Sequence, residues 1–199
     1  VIEAPAAWDL VIGGAEQIIA VLDSGIYLDH PDLVSKLWVN EGEIPCNGLD
    51  DDDNGCVDDV YGCHFYLWWD NSNKKWVPRR DGNVQDDFNH GGHVAGIAAA
   101  AADNGVGIAG LSWGARLMAV RVLDEYGRGW YDDIAAGIVY AAENGATVIN
   151  LSLGGEPASE TLQDAVDLAH ECGILLVAAA GNKGHTGQPV LYPAACEHV

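Results

Sequence analysis

Three short segments carry residue types that can do acid–base chemistry together. Asp23 ends an apolar run in Asp23-Ser24-Gly25, His90 stands in Asn89-His90-Gly91-Gly92-His93-Val94-Ala95-Gly96, and Asn182 closes Ala178-Ala179-Ala180-Gly181-Asn182. A carboxylate on a strand end and an imidazole at a helix start can pair, the acid orienting the ring and stabilising its cation. That pair is two-thirds of a triad for nucleophilic catalysis. A carboxamide at another strand end offers an N–H that can donate to an oxyanion as one forms.

Four apolar runs and three Ala-rich stretches must position these groups. Gln17 to Asp23, Arg116 to Leu123, Thr147 to Leu153 and Ile174 to Ala180 read as buried strands. Helices are expected at about His93 to Ala102, Asp132 to Asn144 and Ser159 to Cys172, the last two stopped by Gly145 and Gly173 where a left-handed residue is needed. Nearly all-apolar strands alternating with helices imply an α/β fold of three layers, with a mostly parallel central sheet and helices on both faces. Active groups then gather at the carboxyl ends of strands, where Asp23 and Ser152 sit. Residues from about 38 to 89 break the rhythm. They are rich in Asp, Asn and Gly, and read as a long ordered excursion anchored by Trp38, Tyr61, Tyr66, Trp68, Trp69 and Trp76.

That excursion contains Asp50-Asp51-Asp52-Asp53-Asn54-Gly55-Cys56-Val57-Asp58-Asp59. Oxygen ligands at alternating positions followed by Gly match the first half of a calcium loop, with Asp50, Asp52, Asn54, the Cys56 carbonyl and Asp58 as ligands. Tyr61 stands where such a loop has its Glu, and Asp58 or Asp59 is a candidate to replace it. The competing reading is a solvated acidic turn. Crowding six carboxylates without a cation is electrostatically costly, which favours calcium.

Composition excludes other classes. The chain has 199 residues, ordinary globular composition, and 9 Lys plus Arg against 30 Asp plus Glu, a net charge of −21. Such a field predicts repulsion from nucleic acid and from anionic membrane, and no apolar run is long enough to span a bilayer. Val1 opens without Met or a signal-like stretch, which reads as a processed or cut start. Five cysteines cannot all pair within one chain. Cys172 with Cys196, or two of Cys46, Cys56 and Cys63, are the open pairings, and cysteine usage weakly favours export. Gly110-Leu111-Ser112-Trp113-Gly114 matches the nucleophile elbow of α/β-hydrolases, but a loop precedes it and a strand follows it, the inverse of the required context. His90 and His93 have helical spacing for a metal but no third ligand near them, so His93 reads as a structural histidine.

The Asp23 and His90 segments, Ser152-Leu153-Gly154 and Ala-Ala-Gly-Asn ending at Asn182 resemble, in this order, the subtilisin-like serine peptidases. The likeness runs from Ile2-Glu3-Ala4-Pro5 and Trp8-Asp9 almost to the end of the chain. It implies that Asp23 orients His90, that His90 is general base and then acid, and that Asn182 donates to the oxyanion. It implies that Gly127, Arg128, Gly129 and Tyr131 form one rail for extended polypeptide substrate and Ser152, Leu153 and Gly154 the other. A second structural Ca2+ site is implied at Asp32 and Asn104, with the carbonyls of Ala102, Val106 and Ile108. The family's Gly-Thr-Ser-Met-Ala block does not occur, and no Ser follows Asn182. The expectation is therefore an incomplete catalytic domain over 1–199, truncated at the C-terminus, with an acidic insertion at about 38–89 and its nucleophile beyond Val199. Such an enzyme would be secreted, with a possible propeptide in its precursor. As it stands the chain is expected not to turn over peptide, and a pseudoprotease that grips peptide without cutting is the alternative. One departure from the family is Gly92, which replaces a Thr and should loosen the helix start by about 1 kcal/mol.

Overall fold

The computed structural model describes residues 2–199. Its elements run α1 (Ala4–Trp8), β1 (Ile18–Asp23), β2 (Gly62–Asp70), β3 (Lys75–Asp81), α2 (His90–Ala99), β4 (Arg116–Arg121), α3 (Tyr131–Glu143), β5 (Val148–Leu151), α4 (Glu160–Glu171) and β6 (Leu175–Ala178). The six strands form one sheet in the order β3-β2-β4-β1-β5-β6. Every pairing is parallel except β2 with β3, a hairpin at the sheet edge.

Central strands are mostly apolar because both their faces are covered. Ala20 and Leu22 of β1, with Met118 and Val120 of β4, pack against Ile134, Ile138 and Ala141 of α3 and Leu162, Val166 and Ala169 of α4. The intervening residues Val21, Leu117 and Ala119 point the other way, onto Ala95 and Ala99 of α2. This period-two division makes the three layers. In α4 the buried residues Leu162, Ala165, Val166 and Ala169 recur at helical spacing, and the Ser159 hydroxyl caps the start by accepting from Leu162 N at 3.3 Å. Gly145 and Gly173 have φ of 79° and 80°, the left-handed stop expected of each.

The excursion is ordered, but it supplies two strands that alternation did not reveal. Aromatic residues occupy both faces of β2, so no period-two contrast of apolar and polar marks it as a strand. Of its expected anchors Trp38 is buried, whereas Trp68, Trp69 and Trp76 are exposed. A disulfide joins Cys56 to Cys63 at the root of β2. Cys46, Cys172 and Cys196 are free, so the considered Cys172–Cys196 pairing does not form.

Candidate active site

Asp23 is the last residue of β1 and is fully buried. His90 Nδ1 lies 2.8 Å from its Oδ1 and 2.9 Å from its Oδ2, and Ser24 N–H donates to Oδ1 at 2.7 Å. Burial pushes the Asp23 pKa up, against the opposing pull of the His90 and Ser24 hydrogen bonds. A carboxylate here fixes the tautomer with the proton on Nδ1, which leaves Nε2 with a lone pair. The imidazole is 42% exposed and lines a cleft, so that lone pair can serve as a base.

The helix carrying His90 starts at His90 itself, three residues before the position expected from sequence. Two glycines are poor helix formers, but two side chains compensate by taking the free N–H groups of the first turn. Ser24 Oγ accepts from Gly91 N at 3.0 Å, and Asp86 Oδ2 accepts from Gly92 N at 2.8 Å. Asp86 Oδ1 also accepts from Phe88 N, Asn89 N and the Ser24 hydroxyl, each at 2.9 Å. Gly91 is required sterically: a Cβ there would sit 2.1 Å from the Gly25 carbonyl oxygen. The expected loosening at Gly92 is thus met by a buried acid. Arg121, at the end of β4, holds the preceding segment through Gln85 O at 2.8 Å and Asp87 Oδ2 at 2.9 Å. Asp86 and Ser24 are positioning residues that sequence reasoning missed. The available signal was an acid four residues before a helix-starting His.

The cleft beside His90 has a volume of about 630 Å³. Gly127, Arg128, Gly129 and Tyr131 line it from one side, Ser152, Leu153 and Gly154 from the other, with Phe88 near the imidazole. All seven residues expected to contact substrate therefore share one cleft with His90. Asp124 shapes the first rail, its carboxylate accepting from Tyr126 N and Arg128 N at 2.9 Å each. Gly127 has φ of 71°, and a Cβ on it would meet the Phe88 ring at 2.6 Å. Asn182 is exposed in the segment after β6, at the same carboxyl edge of the sheet as Asp23, and is not among the residues lining this cleft.

In the acidic excursion, the carboxylates brought together are Glu43, Asp52 and Asp59, with one oxygen from each lying within 4.8 Å of the others. Asp50 and Asp58 instead brace backbone: Asp50 accepts from Asn54 N and Gly55 N, Asp58 from Asn47 N and Gly48 N. Asn54 donates its amide to Asp52 and Asp59, and Cys56 N donates to Asn54 Oδ1. Of the expected carboxylates Asp52 joins the cluster, as does Asp59, one of the two offered in place of the loop's Glu, whereas Asp50 and Asp58 do not, because the chain folds across itself here rather than winding as a single ligand loop. Glu43 lies outside the acidic run and carried no spacing signal. Its Oε1 accepts from Asp51 N and Asp52 N, while Oε2 is buried with no hydrogen-bond partner. Burial pushes the pKa of both Glu43 and Asp59 up. A cation fits this donor set: hard oxygen ligands, excess negative charge and one orphaned buried carboxylate oxygen. Asp59 also accepts from the Tyr140 hydroxyl, which ties the cluster to α3. At the second expected metal position Asp32 is buried, accepting from Asn104 Nδ2 at 2.8 Å and Ile108 N at 2.9 Å. The Ile108 N–H, then the Asn104 amide, hold its pKa below the usual carboxylate value.

Comparison with known proteins shows the family. The model of the subtilase family, Peptidase_S8, matches residues 14–199. The chain belongs to the subtilase family. It is 40% identical over 193 residues to thermitase of Thermoactinomyces vulgaris, covering 97% of this chain and 56% of thermitase. It is likewise 40% identical to the thermophilic serine proteinase of Bacillus sp. (strain AK1), covering 97% of this chain and 39% of that protein. Halolysin of Haloferax mediterranei is 41% identical over 194 residues, 98% of this chain and 31% of halolysin. The chain thus spans between about a third and just over half of the length of these relatives.

Ser112 and His93 do not line this cleft. Ser112 precedes β4, at the opposite end of that strand from Arg121 and the His90 segment, and its N–H donates to Ala98 O. It therefore has no strand-to-helix elbow. His93 is exposed on α2. Ser152 shares the cleft with His90, but its hydroxyl accepts from Asn150 Nδ2 at 3.0 Å, and among the described residues no serine hydroxyl is hydrogen-bonded to His90.

Proposed function

We infer that this subtilase chain is the part of a serine endopeptidase that carries the general base, its orienting acid and both substrate rails. The observation supporting this is the buried Asp23 carboxylate against His90 Nδ1, with the ring opening on the peptide-sized cleft. Extended polypeptide lies between the segment 127–131 and Ser152 to Gly154 as an added strand, its backbone approaching glycines that carry no side chain to obstruct it.

In this reading a serine outside the 199 residues is the nucleophile. Its oxygen bonds to the scissile carbonyl carbon while His90 Nε2 takes its proton, and the Asp23 carboxylate stabilises the resulting imidazolium. As the tetrahedral intermediate collapses, the C–N bond breaks and His90 gives the proton to the leaving amine. Water then repeats the sequence on the acyl-enzyme with His90 again as base. Asn182 donates its amide N–H to the carbonyl oxygen when that oxygen becomes negative; its exposed segment would have to turn into the cleft.

Glu43, Asp52 and Asp59 would hold one structural Ca2+, and Asp32 with Asn104 a second. The ions would neutralise buried carboxylates and take no part in bond breaking. The resemblance to exported peptidases supports an extracellular location, and no helix among the described residues is long and apolar enough to cross a membrane. Substitution of His90 by Ala in the intact enzyme is expected to lower peptide hydrolysis by several orders of magnitude, the loss already known for subtilisin-type triads. Near-normal turnover would refute the assignment. The 199 residues alone should bind extended peptide without cutting it, and an intact protein that also binds but never cuts would favour the pseudoprotease.

A further inference from the structure

A net charge of −21 describes the whole chain and conceals one local exception. Residues 66–80, the outer part of the β2–β3 hairpin, hold Lys74, Lys75, Arg79 and Arg80 against a single acid, Asp70, a net +3. These are four of the nine Lys and Arg, so the positive charge is concentrated at one edge of the sheet. The same segment exposes Trp68 by 54%, Trp69 by 38% and Trp76 by 62%.

The register distributes these residues over both faces of the ribbon. Trp69 pairs with Trp76 and Leu67 with Pro78, and Phe65 pairs with Arg80, on one face. Trp68 pairs with Val77 and Tyr66 with Arg79 on the other, where Lys75 also lies. Trp69 and Trp76 meet edge to face at 5.4 Å, a rigid aromatic wedge, and Arg80 lies over the buried Phe65 ring. The Asp70 carboxylate is turned inward, accepting from Ser72 N, Asn73 N and Asn73 Nδ2. Lys74 and Lys75 are thus left at the tip with no salt-bridge partner among the described residues.

A tip with indole rings on both faces and cations around them suits a medium that surrounds it, the headgroup layer of a lipid bilayer, where Trp is favoured and Lys and Arg meet anionic lipid. The acidic body does not prevent this. The tip lies about six residues along β2 from His64, roughly 20 Å, and charges are screened over about 8 Å at physiological salt. We propose that the β2–β3 hairpin is an interfacial anchor that docks the protein on anionic lipid surfaces. Pro78 and the flanking cations also keep this edge strand from pairing with other strands, so the exposed indoles are not a by-product of strand assembly.

The test is sedimentation of the protein with vesicles of phosphatidylcholine alone and with about 30% phosphatidylserine, with tryptophan emission followed in parallel. Binding is expected to the anionic vesicles only, with a blue shift of emission and weakening as salt rises from about 0.1 M to about 0.5 M. The double change Lys74→Gln, Lys75→Gln should reduce partitioning roughly twenty-five-fold, at about fivefold per cation. The double change Trp68→Ala, Trp76→Ala should abolish the blue shift, with far-UV circular dichroism unchanged for both. Equal sedimentation with the two vesicle types, or partitioning that neither double variant alters, would overturn the anchor. Retention on heparin without any response to vesicles would also overturn it and assign the hairpin to anionic glycans.

Discussion

Asp23 and His90 are held by different kinds of constraint, and substitutions should separate them. Asp23→Asn keeps the shape but removes the charge that fixes the tautomer and stabilises the imidazolium. A loss of about 10⁴-fold in kcat is expected for the intact enzyme, as for other Ser-His-Asp peptidases. Asp86 touches no substrate; it gathers four donors at the start of α2. Asp86→Ala should therefore lower kcat with little change in KM and destabilise the fold by about 1–3 kcal/mol, and a pure KM effect would contradict a positioning role. Away from the pair, burial and then neighbouring Asp132 push Asp133 up to about 6. The folded state thus favours its neutral acid, so the stability it contributes is present below its unfolded value of 3.8 and lost as pH rises through about 6. Asp133→Asn should raise the thermal midpoint at pH about 7.5 and change it little near pH about 4. Equal effects at both pH values would remove titration as the cause.

At the scale of elements, the site depends on how closely α2 can approach the turn after β1. Gly91→Ala drives a Cβ against the Gly25 carbonyl, and backbone cannot yield as a flexible side chain can. The expected result is destabilisation of about 1–3 kcal/mol together with loss of the His90–Asp23 contact, visible as loss of the hydrogen-bonded Nδ1 proton signal of the His90 ring by NMR. Most of the elements were legible in sequence. The apolar runs around β1, β4, β5 and β6 and the glycine stops of α3 and α4 report burial on two faces and a local need for positive φ, both properties of a single segment. The start of α2 was misjudged because its stabilising partners, Ser24 and Asp86, are remote from the helix or precede it in a loop. β2 and β3 escaped notice because an edge hairpin with aromatics on both faces has no simple period.

For the molecule as a whole, the acidic cluster couples the excursion to the core through Asp59 and Tyr140. An ion bound only by the folded state stabilises it by mass action, about 2.7 kcal/mol at a hundredfold excess over Kd. EDTA is accordingly expected to lower the thermal midpoint by roughly 5–10 °C, and Glu43→Gln should shrink that difference; an unchanged midpoint would remove calcium from the account. The sequence by itself determined the family and the alternation of strand and helix, and it singled out the Asp23–His90 pair and the seven residues that line the cleft with His90. Those features follow from short motifs in a fixed order, each read within its own segment. Only the tertiary structure decided which acids converge on Glu43, which side chains cap α2, and that two lysines and three exposed indoles share the outer end of one edge hairpin. Each of these depends on distance between residues far apart in the chain, and spacing along a sequence does not report distance across a fold.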